Sequence, residues 1–262
     1  MHGASNDFIL VDDRELKFPA DDKAWIARIA SRRTGVGSEG VLLIQPSDRA
    51  DFKMRFFNPD GGEADMCGNG ARCIARLARD LGAAPAGMAM ETGAGLVKAE
   101  IRGDAVLLQM TEPRDWRLNG TVLVDGRSVA YGFVNSGVPH VVIETEDLAS
   151  VNVQDLGSRI RHHKDFAPAG TNVNFISVTG ADSIRVRTYE RGVEAETLAC
   201  GTGMVACGLV AAKLGRVGLP VRVTPASGDV LTVDGRLTPD GATKVTLLGP
   251  AVHVFQGTLN YP

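Results

Sequence analysis

The chain has 262 residues, enough for one large domain or two of ordinary size with a substantial core. Apolar residues make up 44% and charged residues 23%, and a formal net charge of -3 is spread over interspersed acidic and basic positions. Because no Lys/Arg cluster is present, the composition argues against binding to nucleic acid or to an anionic membrane. The apolar runs are too short to span a bilayer, and the stretch MHGASNDFILVDDR lacks the basic start and long apolar run of a secretory signal. We therefore expect a cytoplasmic globular protein.

Most predicted elements are short strands bounded by Gly, Pro, Asp and Asn. In chain order they are FILVDD, GVLLIQ, FKMRFFN, AVLLQM, TVLVDG, HVVIET, NFISV, IRVRTYE, VRVT, VLTVDG and KVTLLG. Helical periodicity is limited to four segments, which are 22–32, 69–81, 151–161 and 203–214.

The two glycine-led helices differ in their apolar patterns. Segment 203–214 is nearly all apolar, so it should be surrounded by protein on every side. Segment 69–81 is predicted to bury one face and expose the other: Ile74, Leu77 and Leu81 are inside, and Arg72, Arg76 and Arg79 are outside. These patterns predict an α/β fold in which curved, mostly antiparallel strands wrap around a buried helix.

An internal repeat relates the two halves of the sequence. MCGNGARC and ACGTGMVAC place Cys67 and Cys200 133 positions apart, each before a Gly-x-Gly turn that opens a helix. At the same offset GSEGVLLI overlays GTNVNFIS, and Glu63 falls on Glu196. We predict two homologous domains, 1–115 and 116–249, with segment 250–262 completing the first.

The repeated cysteines lie where a thiolate could be useful. A helix N-terminus combines N–H groups that lack intrahelical partners with the positive end of the macrodipole, so it favours a carboxylate or a thiolate. Cys73 and Cys207 do not match at the offset and are predicted to be core residues. No C-x-x-C pair is present, so four thiols are expected rather than disulfides or a metal site.

If the two halves face each other, Cys67 and Cys200 approach one cleft from opposite sides. A substrate carboxylate would then receive backbone N–H groups from Gly68 and Asn69 and from Gly201 and Thr202. One thiolate could remove the α-proton while the opposite thiol returns one, which is racemisation or epimerisation without pyridoxal phosphate or any other cofactor.

The motifs HGASNDFILVDD, RTGVGSEGVLLI, FFNPDGGEADMCGNGARC, SGVPH, GTNVNF and YERGVEAETLACGTG closely resemble the diaminopimelate epimerase family over nearly the whole chain. The resemblance implies interconversion of LL- and meso-diaminopimelate for lysine and peptidoglycan synthesis. It also implies an active site in the cleft between two similar domains, a homodimer, and a small-molecule amino acid substrate as the binding partner.

Position by position, the resemblance identifies Cys67 and Cys200 as the acid/base pair, with His140 and Glu190 as polar residues near the thiols. It also implies two groups of substrate-binding residues. Around the reacting α-centre these are Asn6, Gly68, Asn69, Gly70, Gly201 and Thr202; at the distal amino acid group they are Asn58, Asn172, Glu190 and Arg191. An Arg for a carboxylate and a Glu for an ammonium suit a distal zwitterion.

Two positions depart from the family pattern: Val138 stands where many members have Asn, and Gly40 where some have Gln. His140 could instead be a buried core histidine, and Asn58 only a turn residue. Two other functions stay open. One is an epimerase or racemase for histidine, proline or hydroxyproline, and the other is a thiol-based redox or metal-binding protein.

Overall fold

The computed structural model describes residues 1–261. The chain divides into two compact units. The first comprises Met1–Leu107 together with the chain from Pro250 onwards, and the second comprises Leu108–Gly249. The predicted repeat boundary after residue 115 stays a prediction.

The first unit contains two helices, α1 (Lys23–Ala30) and α2 (Gly68–Asp80). Its strands are β1 (His2–Gly3), β2 (Asn6–Asp7), β3 (Ile9–Asp12), β4 (Val41–Gln45), β5 (Phe52–Phe57), β6 (Glu63–Ala64), β7 (Gly87–Thr92) and β8 (Gly95–Arg102), and β9 (Ala105–Gln109) follows at the boundary.

The second unit contains α3 (Val153–Arg161), a 3₁₀ turn (Lys164–Phe166) and α4 (Gly201–Lys213). Its strands are β10 (Arg114–Val124), β11 (Arg127–Asn135), β12 (Pro139–Glu144), β13 (Asn172–Gly180), β14 (Ser183–Glu190), β15 (Ala195–Thr197), β16 (Val221–Thr224), β17 (Leu231–Thr238) and β18 (Gly241–Pro250).

The two units repeat one sheet topology. In the first, β3 runs parallel to β4, β4 antiparallel to β5, β5 parallel to β7, and β7 antiparallel to β8. Strands β12, β13, β14, β16 and β17 repeat this order and direction in the second. The register is also shared. Ile9 pairs with Val41, and the residues 133 positions after each of them, Val142 and Asn174, pair with each other. The predicted α/β fold of two similar halves is confirmed.

Helices α2 and α4 are equivalent parts of this repeat. Each has 13 residues, and each is followed by a glycine with positive φ, +65° at Gly82 and +69° at Gly215. Every residue from Gly203 to Ala212 is buried, and α4 packs against β11, β12, β13, β14, β16 and β17. The prediction that segment 203–214 is surrounded by protein is confirmed for Gly203–Ala212, whereas Leu214 at the C-cap is 37% exposed.

The alternation of side chains along a strand explains how each central strand lies between two helices. On β4, Val41 and Leu43 belong to the core cluster with α1, whereas a Cβ added at Gly70 of α2 would lie 3.0 Å from Leu42 Cδ1. Strand β4 is therefore buried on both faces, which is why its sequence is a continuous apolar run.

The prediction for the outer face of α2 is wrong at Arg72, whose side chain is fully buried. Its Nη2 donates to Asn69 Oδ1 at 2.9 Å, and its Nε donates to the Pro250 carbonyl at 3.4 Å. Leu81, predicted to be inside, is 41% exposed. The first turn of α2 is covered by β1 and by the chain that returns at Pro250, so burial there does not follow the helical period.

No helix within residues 1–261 combines the length and apolar character required to cross a bilayer.

The burial of α4 leads to a stability prediction. Leu209 is fully buried in the middle of α4, and Leu214 at its C-cap is 37% exposed. Leu209→Ala should lower the free energy of unfolding by about 2–5 kcal/mol, because it removes buried methyl groups and leaves a cavity. Leu214→Ala, the matched control, should cost less than half as much. Urea unfolding followed by circular dichroism measures both, and equal losses would contradict the burial of α4.

Candidate active site

Cys67 and Cys200 occupy equivalent positions in the two units. Each is the N-cap residue of its helix with extended backbone, at φ -136° and ψ 121° for Cys67 and φ -118° and ψ 111° for Cys200. Neither side chain caps its own helix. The first N–H groups of an α-helix have no intrahelical acceptor, so each cysteine precedes a turn whose backbone can bind an anion. All four cysteines of the chain are thiols.

In the first unit, the hairpin of β1 and β2 packs against the start of α2. Its loop residues Ala4 and Ser5 have φ of 57° and 60°, as a tight two-residue hairpin loop requires. A Cβ at Gly3 would lie 3.0 Å from the Asn69 carbonyl oxygen, closer than an ordinary van der Waals contact, so glycine favours this approach. The hairpin fixes Asn6, whose buried Oδ1 has no hydrogen-bond partner within residues 1–261. A ligand N–H group could supply one.

Asn69 and Arg72 form the polar part of the first turn of α2. The guanidinium holds the Asn69 side-chain oxygen, and Arg72 Nη1 donates to the Gly68 carbonyl at 3.4 Å. A buried cation therefore lies in the turn that follows Cys67. This role of Arg72 was not predicted from the sequence, in which its only signal is a position one helical turn after Asn69.

In the second unit, a chain of polar contacts begins at Cys200. Its Sγ lies 3.6 Å from Thr202 Oγ1, and this hydroxyl lies 3.0 Å from His140 Nε2. Ser136 Oγ donates to the Thr202 carbonyl at 2.8 Å and so holds the first turn of α4 against the end of β11. The structure therefore links two of the predicted site residues, His140 and Thr202, to the thiol of Cys200.

His140 is fully buried on β12. Burial, and then the positive charge of Arg191, lowers the pKa of His140 to about 3. The imidazole is therefore neutral at physiological pH, where it offers one donor nitrogen and one acceptor nitrogen.

Three of the four residues predicted for the distal amino acid group, Asn172, Glu190 and Arg191, lie together at the adjoining ends of β13 and β14. Asn172 Oδ1 accepts from the Arg191 backbone N–H at 2.9 Å, and Asn172 Nδ2 donates to the Pro139 carbonyl at 3.0 Å. Thr197 Oγ1 donates to Glu190 Oε2 at 2.9 Å. Burial raises the pKa of Glu190, and a bound ammonium would favour its ionised form.

Three other positions singled out from the sequence, Asn58, Gly40 and Val138, have backbone or packing roles in the structure. Asn58 is exposed, and its backbone closes the turn that ends at Gly62, which agrees with its interpretation as a turn residue. A Cβ at Gly40 would lie 2.6 Å from the Phe57 carbonyl oxygen, so this backbone has no room for the Gln found in some members. At Val138, the backbone carbonyl accepts from the Ser136 N–H.

Cys73 and Cys207 are fully buried. Desolvation raises the pKa of Cys73 to about 12 and raises that of Cys207 well above its usual value. The prediction that both are core residues is confirmed. Among residues 1–261, no group of three or more His, Cys, Asp or Glu is arranged to hold a metal ion.

The low pKa of His140 leads to a prediction about acid stability. Below the ordinary histidine pKa of 6.5, the unfolded chain binds a proton at this residue that the folded chain does not bind above about pH 3. Stability should therefore fall as the pH drops from 6.5 towards 3, by up to about 1.4 kcal/mol per pH unit from this residue. His140→Gln should flatten the pH dependence of the unfolding free energy measured in urea. The control His162→Gln, at an exposed histidine, should leave the slope unchanged, and an unaltered slope in both variants would contradict a neutral His140.

Comparisons with known proteins identify the family of this chain. The family model described as diaminopimelate epimerase matches residues 1–116 and 132–254. The diaminopimelate epimerase of Aquifex aeolicus (strain VF5) is 43% identical, covering 99% of this chain and 96% of the relative. That of Chlorobaculum tepidum is 40% identical, covering 99% of both chains.

A solved structure extends the likeness of fold. A phenazine biosynthesis protein of the PhzF family from Bacillus anthracis superposes with a TM-score of 0.73 at 16% identity, covering 97% of this chain and 93% of that one. At this identity the likeness concerns the fold alone. The family match and the curated relatives confirm the resemblance predicted from the motifs, and the chain belongs to the diaminopimelate epimerase family.

Proposed function

We propose that this protein is a diaminopimelate epimerase, an isomerase that interconverts LL-2,6-diaminopimelate and meso-2,6-diaminopimelate by cofactor-independent proton transfer. The observation that carries the proposal is the pair of N-cap cysteines at equivalent helix starts, Cys67 on α2 and Cys200 on α4. Relatives that are 40–43% identical over 99% of the chain, and that are named for this activity, support it.

The proton transfer needs two cysteines in opposite protonation states. One thiolate takes the α-proton, the electron pair left on the α-carbon is delocalised into the carboxylate, and the other thiol returns a proton to the opposite face. The first-turn N–H groups at Gly68, Asn69 and Gly70, and at Gly201 and Thr202, are suited to stabilise the negative charge that grows on the carboxylate. Asn6 Oδ1 is suited to accept from the substrate's α-ammonium group.

The distal group of diaminopimelate is a second zwitterion, and the second unit offers complementary charges for it. Arg191 can bind the distal carboxylate and Glu190 the distal ammonium, while Asn172 holds the Arg191 backbone in place. Histidine, proline and hydroxyproline have no second zwitterion, so each would leave these charges unpaired.

The wider role follows from this activity. Meso-diaminopimelate would serve lysine and peptidoglycan synthesis. A cytoplasmic location and a homodimer stay predictions, and sedimentation equilibrium of the purified protein tests the dimer.

Cysteine variants test the two-base assignment. Cys67→Ala and Cys200→Ala should each lower the interconversion of LL- and meso-diaminopimelate by at least about 100-fold, because each removes a group that transfers a proton. Cys73→Ala and Cys207→Ala are matched controls on the same two helices and should keep most of the activity. The assignment fails if either N-cap variant retains wild-type epimerisation.

Deuterium exchange tests the substrate. In D₂O the wild-type enzyme should incorporate deuterium at the α-carbon of LL-diaminopimelate and leave L-histidine, L-proline and trans-4-hydroxy-L-proline unlabelled, as measured by mass spectrometry. Labelling of histidine without labelling of LL-diaminopimelate would favour a racemase of another amino acid. A stoichiometric metal found by elemental analysis would favour the thiol-based metal-binding alternative.

A further inference from the structure

We propose that Asn174 is a positioning residue that fixes the tautomer of His140 and thereby directs the Thr202 hydroxyl to donate to the sulfur of Cys200. Asn174 lies on β13 and is fully buried. The orientation of the Asn174 amide is set by groups outside the site.

Two contacts fix this amide. Asn174 Nδ2 donates to the Val141 carbonyl oxygen at 2.8 Å, and this oxygen can only accept a hydrogen bond. On the other side, Thr188 Oγ1 donates to Asn174 Oδ1 at 2.9 Å. The nitrogen must therefore face Val141, and a flipped amide would place two acceptors against each other.

The same nitrogen sets the protonation of the imidazole. Asn174 Nδ2 lies 3.2 Å from His140 Nδ1 and carries a second hydrogen that it can donate there. An accepting Nδ1 leaves the single proton of the neutral ring on Nε2. The fixed amide therefore selects the Nε2–H tautomer of His140.

The tautomer then determines the direction of the next two contacts. His140 Nε2–H donates to Thr202 Oγ1 at 3.0 Å, so the hydroxyl hydrogen is available for another acceptor. Cys200 Sγ lies 3.6 Å from that oxygen. A hydroxyl that donates to sulfur stabilises the thiolate over the thiol, so this chain of contacts lowers the pKa of Cys200.

Gly203 completes the arrangement. A Cβ there would lie 2.8 Å from Asn174 Oδ1 and 3.4 Å from Cys200 Sγ, so the first turn of α4 rests directly on the amide. In the first unit, the position 133 residues before Asn174 is the apolar Val41, and the position before His140 is Asp7, which accepts from Arg32. The arrangement therefore acts on Cys200 and has no counterpart on β4 for Cys67.

Other ionisable groups of the second unit also act on this network. They are Arg191, whose charge lowers the pKa of His140; Cys207, which interacts electrostatically with Cys200; and Glu190, at the end of the strand that carries Thr188. The hydrogen bonds of Arg191 and Glu190 are made with Asn172, Ala169 and Thr197, so a substitution at Asn174 does not remove them.

Nuclear magnetic resonance of the full-length protein tests the proposal. With ¹⁵N-labelled histidine, wild-type His140 should show a protonated Nε2 and an unprotonated Nδ1. With ¹³Cβ-labelled cysteine, Asn174→Leu should raise the midpoint of the Cys200 titration by roughly one pH unit, which is about tenfold less thiolate below the midpoint. Cys67 in the same sample is the internal control and should titrate as in the wild type.

Further variants separate positioning from general damage. Asn174→Asp keeps the shape but presents an acceptor to His140, so it should move the proton to Nδ1 and also raise the Cys200 midpoint. Thr202→Val removes the hydroxyl, and adding Asn174→Leu to it should shift Cys200 no further, because both changes break the same chain of contacts. If Asn174→Leu does not fold, Thr188→Val replaces it and should cause a smaller shift in the same direction.

The proposal is overturned if wild-type His140 carries its proton on Nδ1, or if the folded Asn174 variants leave the Cys200 midpoint unchanged. An equal shift of Cys67 would show general damage and would also overturn it. These measurements need no substrate, so they stand apart from the proposed epimerase activity. If that activity is present, the pH profile of kcat can be measured for the direction in which Cys200 is the base. In Asn174→Leu the acidic limb of this profile should shift to higher pH. KM should stay near its wild-type value.

Discussion

The close approach of a helix start to a buried strand is the constraint on which the positions of Cys67 and Cys200 both depend. A cysteine at the N-cap can lie beside first-turn N–H groups only if that turn rests on the sheet without a side chain in between. At Gly70 and Gly203 an added Cβ would lie 3.0 Å from Leu42 and 2.8 Å from Asn174. Glycine at these two positions therefore lets the turn pack closely on the strand without displacing either side chain. It brings each cysteine and the N–H groups beside it to a fixed place relative to its sheet.

The duplicated backbone carries different chemistry in its two copies. The turn after Cys67 contains the buried guanidinium of Arg72, which holds Asn69, whereas Cys200 contacts Thr202, which in turn contacts the neutral His140. Two-base epimerisation needs one thiol and one thiolate at the same time, so identical surroundings would favour the same protonation state for both. The repeat keeps the backbone geometry of the two helix starts but surrounds the two cysteines with different side chains, which suits this chemistry.

Much of the fold and the two cysteines could be predicted from the sequence because local signals carry them. The apolar run of α4 and the Gly-x-Gly turns identify the helix starts, although α1 ends at Ala30 rather than at residue 32. Arg72 could not be placed, because its burial depends on the Pro250 carbonyl, 178 positions away in the chain. The contact of Thr202 with His140 likewise joins residues 62 positions apart, which periodicity cannot detect.

Strand β13 shows how one period-two pattern serves both ends of the proposed substrate. Val173 and Phe175 face the core cluster with α3, so the side chains of Asn172 and Asn174 project from the other face. On that face Asn172 holds the backbone of Arg191, and Asn174 holds the ring of His140. A shift of β13 by one residue would place Val173 and Phe175 under α4 and remove both asparagines together. The alternation that buries the apolar residues therefore also fixes the distance between the groups suited to the distal zwitterion and the groups that act on the thiol.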